Sequence, residues 1–265
     1  MCAGETNYNY AHEYSCLFPA MIADWRRKFA LPDSLFLFVQ LAPSTQLGDF
    51  VALRAAQMVA LQLPNVGYAV AVDIGDLSSP MGSIHPRRKQ EVGRRLSLEA
   101  RRIAYGESSL VSTGPVLESV APGSTPGTLV VSYTKGTAQG LHTAAAADCD
   151  KIGSKLCCGE SPFQVRAMNG TWVRADFKVQ GATVVLGPLD PAVVNASLPI
   201  VAHYAYEQWP QCSVYNGEGA PGTGPNGAQP ADNKGATGIA GTPWCWDGGA
   251  GSSPAQTAHG SPCAV

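Results

Sequence analysis

The stretch GYAVAVDIGDLSSPMGSIHPRRKQEVGRR, residues 67–95, decides the reading of the fold. Residues 67–74 are apolar over a strand's length, the pattern of a parallel strand covered on both faces. A loop with two carboxylates follows, Asp73 closing the strand and Asp76 lying further in, and then His85 and Pro86. A proline there predicts the first residue of a helix, because its missing N–H would have had no intrahelical partner. That helix is expected over 86–105, burying Val92, Leu96, Leu98 and Ile103, with Gly106 as its left-handed cap. His85 is then expected on the lip of an α/β sheet, at the carboxyl end of a strand, where open sheets keep their ligand clefts.

Upstream, residues 17–29 carry Phe18, Ile22, Trp25 and Phe29 at helical spacing, with Arg26, Arg27 and Lys28 in the last turn, where cations suit the helix dipole. Residues 35–41, LFLFVQL, read as a second buried strand, and 49–63 as a helix with Asp49 as N-cap. This alternation predicts a doubly wound α/β layer up to about residue 110. Downstream of Gly114-Pro115, short β-rich segments at 128–134, 163–167, 171–179, 183–186 and 200–206 predict a small β-sandwich over 111–216. Residues 217–265, dominated by Gly, Pro and Ala, are expected to form a disordered low-complexity tail, held, if anywhere, at Cys245 and Cys263.

A chain of 265 residues with 45% hydrophobic content fills a core, and 18 basic against 20 acidic side chains leave no electrostatic footprint for nucleic acid. The basic clusters at 26–28, 87–89 and 101–102 read as solvated helix faces. No stretch approaches the ~18 apolar residues of a membrane helix, and no signal peptide is recognisable in the chain as given. Its eight cysteines lack paired CxxC spacing, which argues against zinc and for a disulfide-permissive compartment. The sequons Asn169-Gly-Thr and Asn195-Ala-Ser agree with that compartment. No metal or cofactor is expected.

His85 has two readings: a general acid/base, since an unperturbed imidazole titrates near neutrality, or a helix cap. Asp73 either orients that imidazole, as the third member of a Ser-His-Asp set does, or braces the loop. Asp76, deeper in the loop, leans further towards bracing. The turn Gly4-Glu5-Thr6-Asn7 offers backbone N–H groups and a carboxamide of the kind that stabilises an oxyanion, or is an ordinary turn. Trp209, Pro210, Cys212, Tyr215 and Asn216 either wall a sugar-sized pocket or simply pack.

Several stretches together resemble the sialate O-acetylesterase family of SGNH-type hydrolases: GETN (4–7), YSCLFPAMIADWR (14–26), FVQLA (38–42), LRAAQ (53–57), LPNVGYAVAVDIGD (63–76), SIHPRRKQEVGRRL (83–96), AYG (104–106) and QCSVYNGEGAP (211–221). They fall in family order across roughly residues 1–222. The resemblance implies a three-layer α/β/α hydrolase domain, here partial, with an associated β-sandwich. It implies metal-independent removal of O-acetyl groups from sialic acids by a serine nucleophile and a histidine base. His85 matches the base, and Gly4 and Asn7 fall in the block near the oxyanion. Met1-Cys2-Ala3 stands where that block would have Trp-Tyr-Gln, and Gly82 where the broader superfamily has an acid, so Asp73, Asp76 or backbone carbonyls are left to orient the imidazole. No GQSN-like nucleophile block is present in the chain. The resemblance therefore implies the C-terminal part of an esterase, inactive alone, whose full-length form is secreted or lysosomal and acts on an O-acetylated sugar. Two alternatives stay open: a non-catalytic carbohydrate- or partner-binding remnant, and an esterase for acetylated polysaccharide.

Overall fold

In the computed structural model, which describes residues 4–46, 48–143, 160–167, 169–190, 200–210, 213–217 and 240–246, β1 (Phe36–Gln40) and β2 (Val66–Val70) pair in parallel, from Phe36 opposite Val66 to Gln40 opposite Val70. Successive β1 side chains enter different clusters, as a strand's period of two requires. Phe38 packs with Tyr68 and Val70, with Tyr14, Phe18 and Ile22 of α1 (Ala11–Lys28), and with Leu53 and Met58 of α2 (Phe50–Met58). Val39 packs with Ala71, Ile74 and Val92, the last from α3 (Lys89–Ala104). Each fully buried side chain of this kind contributes roughly 1.5–3 kcal/mol.

All three helices differ from expectation in an instructive way. α1 starts at Ala11, ahead of the expected residue 17, and carries its apolar residues on an arc wider than its covered face. Leu17, Trp25 and Phe29 are 60%, 41% and 72% exposed, whereas Arg26 is buried. The Arg26 guanidinium donates to the carbonyls of Ser34 (2.7 Å) and Asn65 (3.3 Å), pinning the helix end to the starts of both strands. α2 is capped by Asp49, whose carboxylate accepts from Val51 N at 2.7 Å, and it runs on as a 3-10 turn over Val59–Gln62. α3 begins at Lys89 instead of Pro86, because the backbone N–H and guanidinium of Arg87 both turn to the Asp76 carboxylate. Its buried face is Val92, Arg95 and Glu99, so two of the three positions are charged, and Leu98 is only half-buried. Gly106 has φ +72, the left-handed conformation expected of it.

The second half is antiparallel throughout. One sheet has the order β3-β4-β9-β8, formed by β3 (Leu117–Pro122), β4 (Leu129–Tyr133), β9 (Thr183–Leu186) and β8 (Phe177–Gln180). Another has the order β12-β10-β6-β7, formed by β12 (Trp244–Trp246), β10 (Ala202–Tyr204), β6 (Phe163–Arg166) and β7 (Trp172–Arg174). Both sheets feed one apolar cluster, with Leu129, Val131 and Leu186 from the first and Phe163, Tyr204 and Trp244 from the second. A further pair joins β5 (His142–Thr143) to β11 (Val214–Tyr215).

Two segments differ from the sequence reading here. Residues 171–179 break into β7 and β8, because the chain changes sheets between them: β7 pairs with β6, and β8 pairs with β9. Within the expected tail, Trp244–Trp246 forms β12, since two large aromatics in three residues bury enough surface to hold a strand. Of 217–265, only Gly217 and 240–246 are described, and Cys263 lies outside the described residues.

Late residues return to the α/β half. The Arg54 guanidinium of α2 donates to the carbonyls of Leu41 (2.8 Å), Glu207 (2.8 Å) and Gln208 (3.3 Å). Burial among these neutral acceptors pulls it down to about 10. The Gln208 side chain bridges Phe50 N (2.8 Å) and Ser44 O (2.9 Å), and the Tyr68 hydroxyl meets that of Thr242 at 2.7 Å.

Candidate active site

His85 lies in the loop between β2 and α3 and is exposed. Its backbone is clamped twice: its N–H donates to Gly82 O at 2.9 Å, and its carbonyl accepts from Ser79 Oγ at 2.6 Å. The residues around it are latched to the loop after β1. Thr45 N donates to Ser83 Oγ at 2.9 Å, and Ile84 N donates to Gln46 Oε1 at 3.2 Å. The imidazole itself makes no hydrogen bond or ion pair among the described residues. A side chain left free on a fixed backbone is suited to exchanging protons with an incoming group.

Both carboxylates have other partners. Asp73 is buried and held in a bidentate pair by Arg95 of α3, at 2.7 and 2.8 Å. Burial alone would raise its carboxyl, but the Arg95 charge and hydrogen bonds outweigh that and hold it below the usual carboxylate range. Arg95 also donates to Glu91 (2.8 Å) and Val70 O (2.7 Å), so one buried cation joins strand, loop and helix. Asp76 accepts from Arg87 Nε (2.6 Å) and Nη2 (3.0 Å) and from Ser78 N (3.2 Å), and the hydrogen bonds of Arg87 are the main reason its carboxyl is lowered. Neither carboxylate makes a hydrogen bond to His85.

Position 82 has no place for an acid either. Gly82 has φ +86, and a Cβ there would lie 2.2 Å from the Gln46 carboxamide that holds Ile84.

Ile84 and Pro86, the neighbours of His85, line a small open pocket together with Val39, Leu41, Ala71 and Ile74 at the carboxyl ends of the strands. Glu5 lines the same pocket, so the turn that opens the described chain and the histidine loop converge on one cleft. Gly4 has φ +117, and a Cβ there would press on the Tyr14 ring at 2.9 Å. Its carbonyl accepts from Asn7 N at 2.6 Å, closing the turn, while the half-buried Asn7 carboxamide makes no hydrogen bond among the described residues.

The aromatic wall read from the sequence is packing as far as it is described. The Trp209 ring sits against Gly75, where a Cβ would lie 2.8 Å away. Tyr215 is buried, and Asn216 Nδ2 donates to Thr113 O and Thr137 O, both at 2.9 Å. Cys212 lies outside the described residues. Among the described residues no three His, Cys, Asp or Glu side chains cluster as metal ligands. Sequence reasoning missed Arg95 and Arg87 as carboxylate partners, and Gln46 and Ser83 as loop latches. Only Arg87, two residues past His85, left a signal, since a cation so close to two loop acids invites pairing.

No family model matches the chain. Sialate O-acetylesterases of Pongo abelii and Homo sapiens are each 32% identical over 236 residues, an alignment that covers 80% of this chain and 42% of each relative. Over four fifths of its length the chain is similar to sialate O-acetylesterases. The sialate O-acetylesterase of Mus musculus is 30% identical over the same share of this chain. The chain spans less than half the length of these relatives. Among solved structures, a carbohydrate acetylesterase from Xanthomonas citri matches with a TM-score of 0.65 and 26% identity, over 92% of this chain and 48% of its own. The mixed α/β fold is thus like that of a carbohydrate acetylesterase.

Proposed function

We propose that this chain is the histidine-bearing part of a carbohydrate O-acetylesterase and that His85 is its general base. The observation that carries the reading is the His85 loop, with its clamped backbone and free, exposed imidazole beside a pocket at the carboxyl ends of two parallel strands. A base in that position takes the proton of a serine nucleophile and returns it to the leaving sugar hydroxyl. The serine belongs to a block outside these 265 residues, so the chain alone hydrolyses no acetyl ester. Asp73 and Asp76 act through the loop, by fixing its ends to Arg95 and Arg87, and the Gly4–Asn7 turn supplies donors towards the oxyanion. The names of the relatives make O-acetylated sialic acid the first substrate to try. The Xanthomonas citri neighbour, described as a carbohydrate acetylesterase, supports a second reading in which the acetylated sugar is a polysaccharide unit.

The α/β half is read as part of a three-layer hydrolase domain and the antiparallel half as its β-sandwich companion, in a protein of a secreted or lysosomal compartment. No described helix is long and apolar enough to cross a membrane. The test is a chimera in which residues 4–217 replace the matched segment of the Homo sapiens relative. Acetate release from an O-acetylated sialoside or an acetylated oligosaccharide is expected. A folded chimera that binds these sugars but releases no acetate overturns the proposal.

A further inference from the structure

The β6–β7 hairpin carries a feature that the esterase reading does not use. Its tip is the sequon Asn169-Gly170-Thr171, and all three residues are exposed. Asn169 Oδ1 accepts from Thr171 N at 3.0 Å and from Thr171 Oγ1 at 2.7 Å, so the carboxamide is held by its oxygen, and its Nδ2 makes no hydrogen bond among the described residues. Gly170 takes φ +86, which turns the chain sharply, and a Cβ there would meet only Arg166 Nη2, at 3.7 Å.

We infer that Asn169 is an N-glycosylation site. A hydroxyl donating to the amide oxygen draws electron density away from the carboxamide nitrogen's N–H bonds and eases loss of a proton from Nδ2. Nδ2 then attacks the anomeric carbon of an oligosaccharide carried on a lipid pyrophosphate. The Nδ2–C1 bond forms, the C1–O bond to the pyrophosphate breaks, the lipid pyrophosphate leaves with the electron pair, and one Nδ2 proton is lost. The fold accommodates the product, because the tip points into solvent from the end of a hairpin. The position also has a structural use. β7 is the outer strand of its sheet among the described residues, and a glycan at its start shields that edge from pairing with another chain. This inference is independent of the catalytic proposal.

The test is to direct the full chain into the secretory pathway of a eukaryotic host with a cleavable leader and to map the trypsin peptide 167–174, AMNGTWVR, with and without peptide-N-glycosidase. The second sequon, Asn195, falls in a different peptide. Both secreted and cell-retained protein are measured, since transfer precedes export. The inference expects a glycosylated 167–174 peptide that becomes aspartate at position 169 on enzymatic release, and expects it to vanish in both Asn169→Gln and Thr171→Ala. An unmodified 167–174 peptide in both fractions overturns it, including when Asn195 alone is modified.

Discussion

The two halves of the molecule solve the same problem with different chemistry. The antiparallel half closes on one apolar cluster, in which Leu129, Val131, Val184 and Leu186 face Phe163, Tyr204 and Trp244. The α/β half splits its apolar residues between two sides of a two-stranded sheet and threads a buried cation, Arg95, between Asp73, Glu91 and the β2 backbone. An apolar cluster tolerates approximate fits, whereas a buried ion pair tolerates no missing partner. The half that carries His85 is therefore the more exacting one, and its loop is fixed where the charges are.

The largest expected effect probes that charge network. Arg95→Ala strands the buried Asp73 carboxylate, while Glu91 keeps its pair with Arg94, and is expected to cost about 3–5 kcal/mol by chemical denaturation. The pair Arg95→Met with Asp73→Leu is expected to recover most of that loss, because no unpaired buried charge remains at Asp73. A double variant as unstable as Arg95→Ala would show that shape, not charge, governs the site. In the other half, Leu129→Ala, at a residue with no exposure, is expected to cost roughly 2–5 kcal/mol through transfer and cavity terms, with no apolar partner change able to rescue it as a charge swap would.

Acid separates the halves more finely. Asp73 and Glu91 sit below their usual values in the fold, so their stabilisation is complete above the unfolded value of about 4 and is lost as pH falls through the folded ones. In the antiparallel half, His203 is buried and stacked on Trp172 with ring centroids 3.6 Å apart, and burial lowers its imidazole to about 3. A folded value below the unfolded one favours the neutral ring, so that stability is complete above about pH 6.5 and declines towards pH 3, by up to about 1.4 kcal/mol per pH unit. His203→Phe is expected to flatten the stability profile between those limits. An unchanged slope would remove His203 from the comparison.

The same contrast explains what the sequence made legible. Both strands of the α/β half, the Asp49 cap and the Gly106 cap follow from local pattern, and so do most of the antiparallel strands. The start of α3 did not, because Pro86 is a good first helical residue by itself and only the long-range pull of Asp76 on Arg87 delays the helix to Lys89. The charged inner face of α3 was hidden for a related reason: amphipathic reading assigns Arg95 and Glu99 to solvent and cannot see Asp73, 22 residues earlier, waiting for the guanidinium. The place of His85 in an exposed loop after a strand was legible, while the partners of Asp73 and Asp76 were not, since pairing across a loop has no period. β12 was masked by the Gly- and Pro-rich residues around it.

The role proposed for His85 is that of a base on a braced backbone, with neither Asp73 nor Asp76 in hydrogen-bond contact. The direct measurement is acetate release by the chimera carrying residues 4–217, compared with the same chimera bearing His85→Ala, at matched folded concentration. Loss of a positioned general base is expected to lower the rate by about 10²–10⁴-fold. An undiminished rate in the His85→Ala chimera would contradict it.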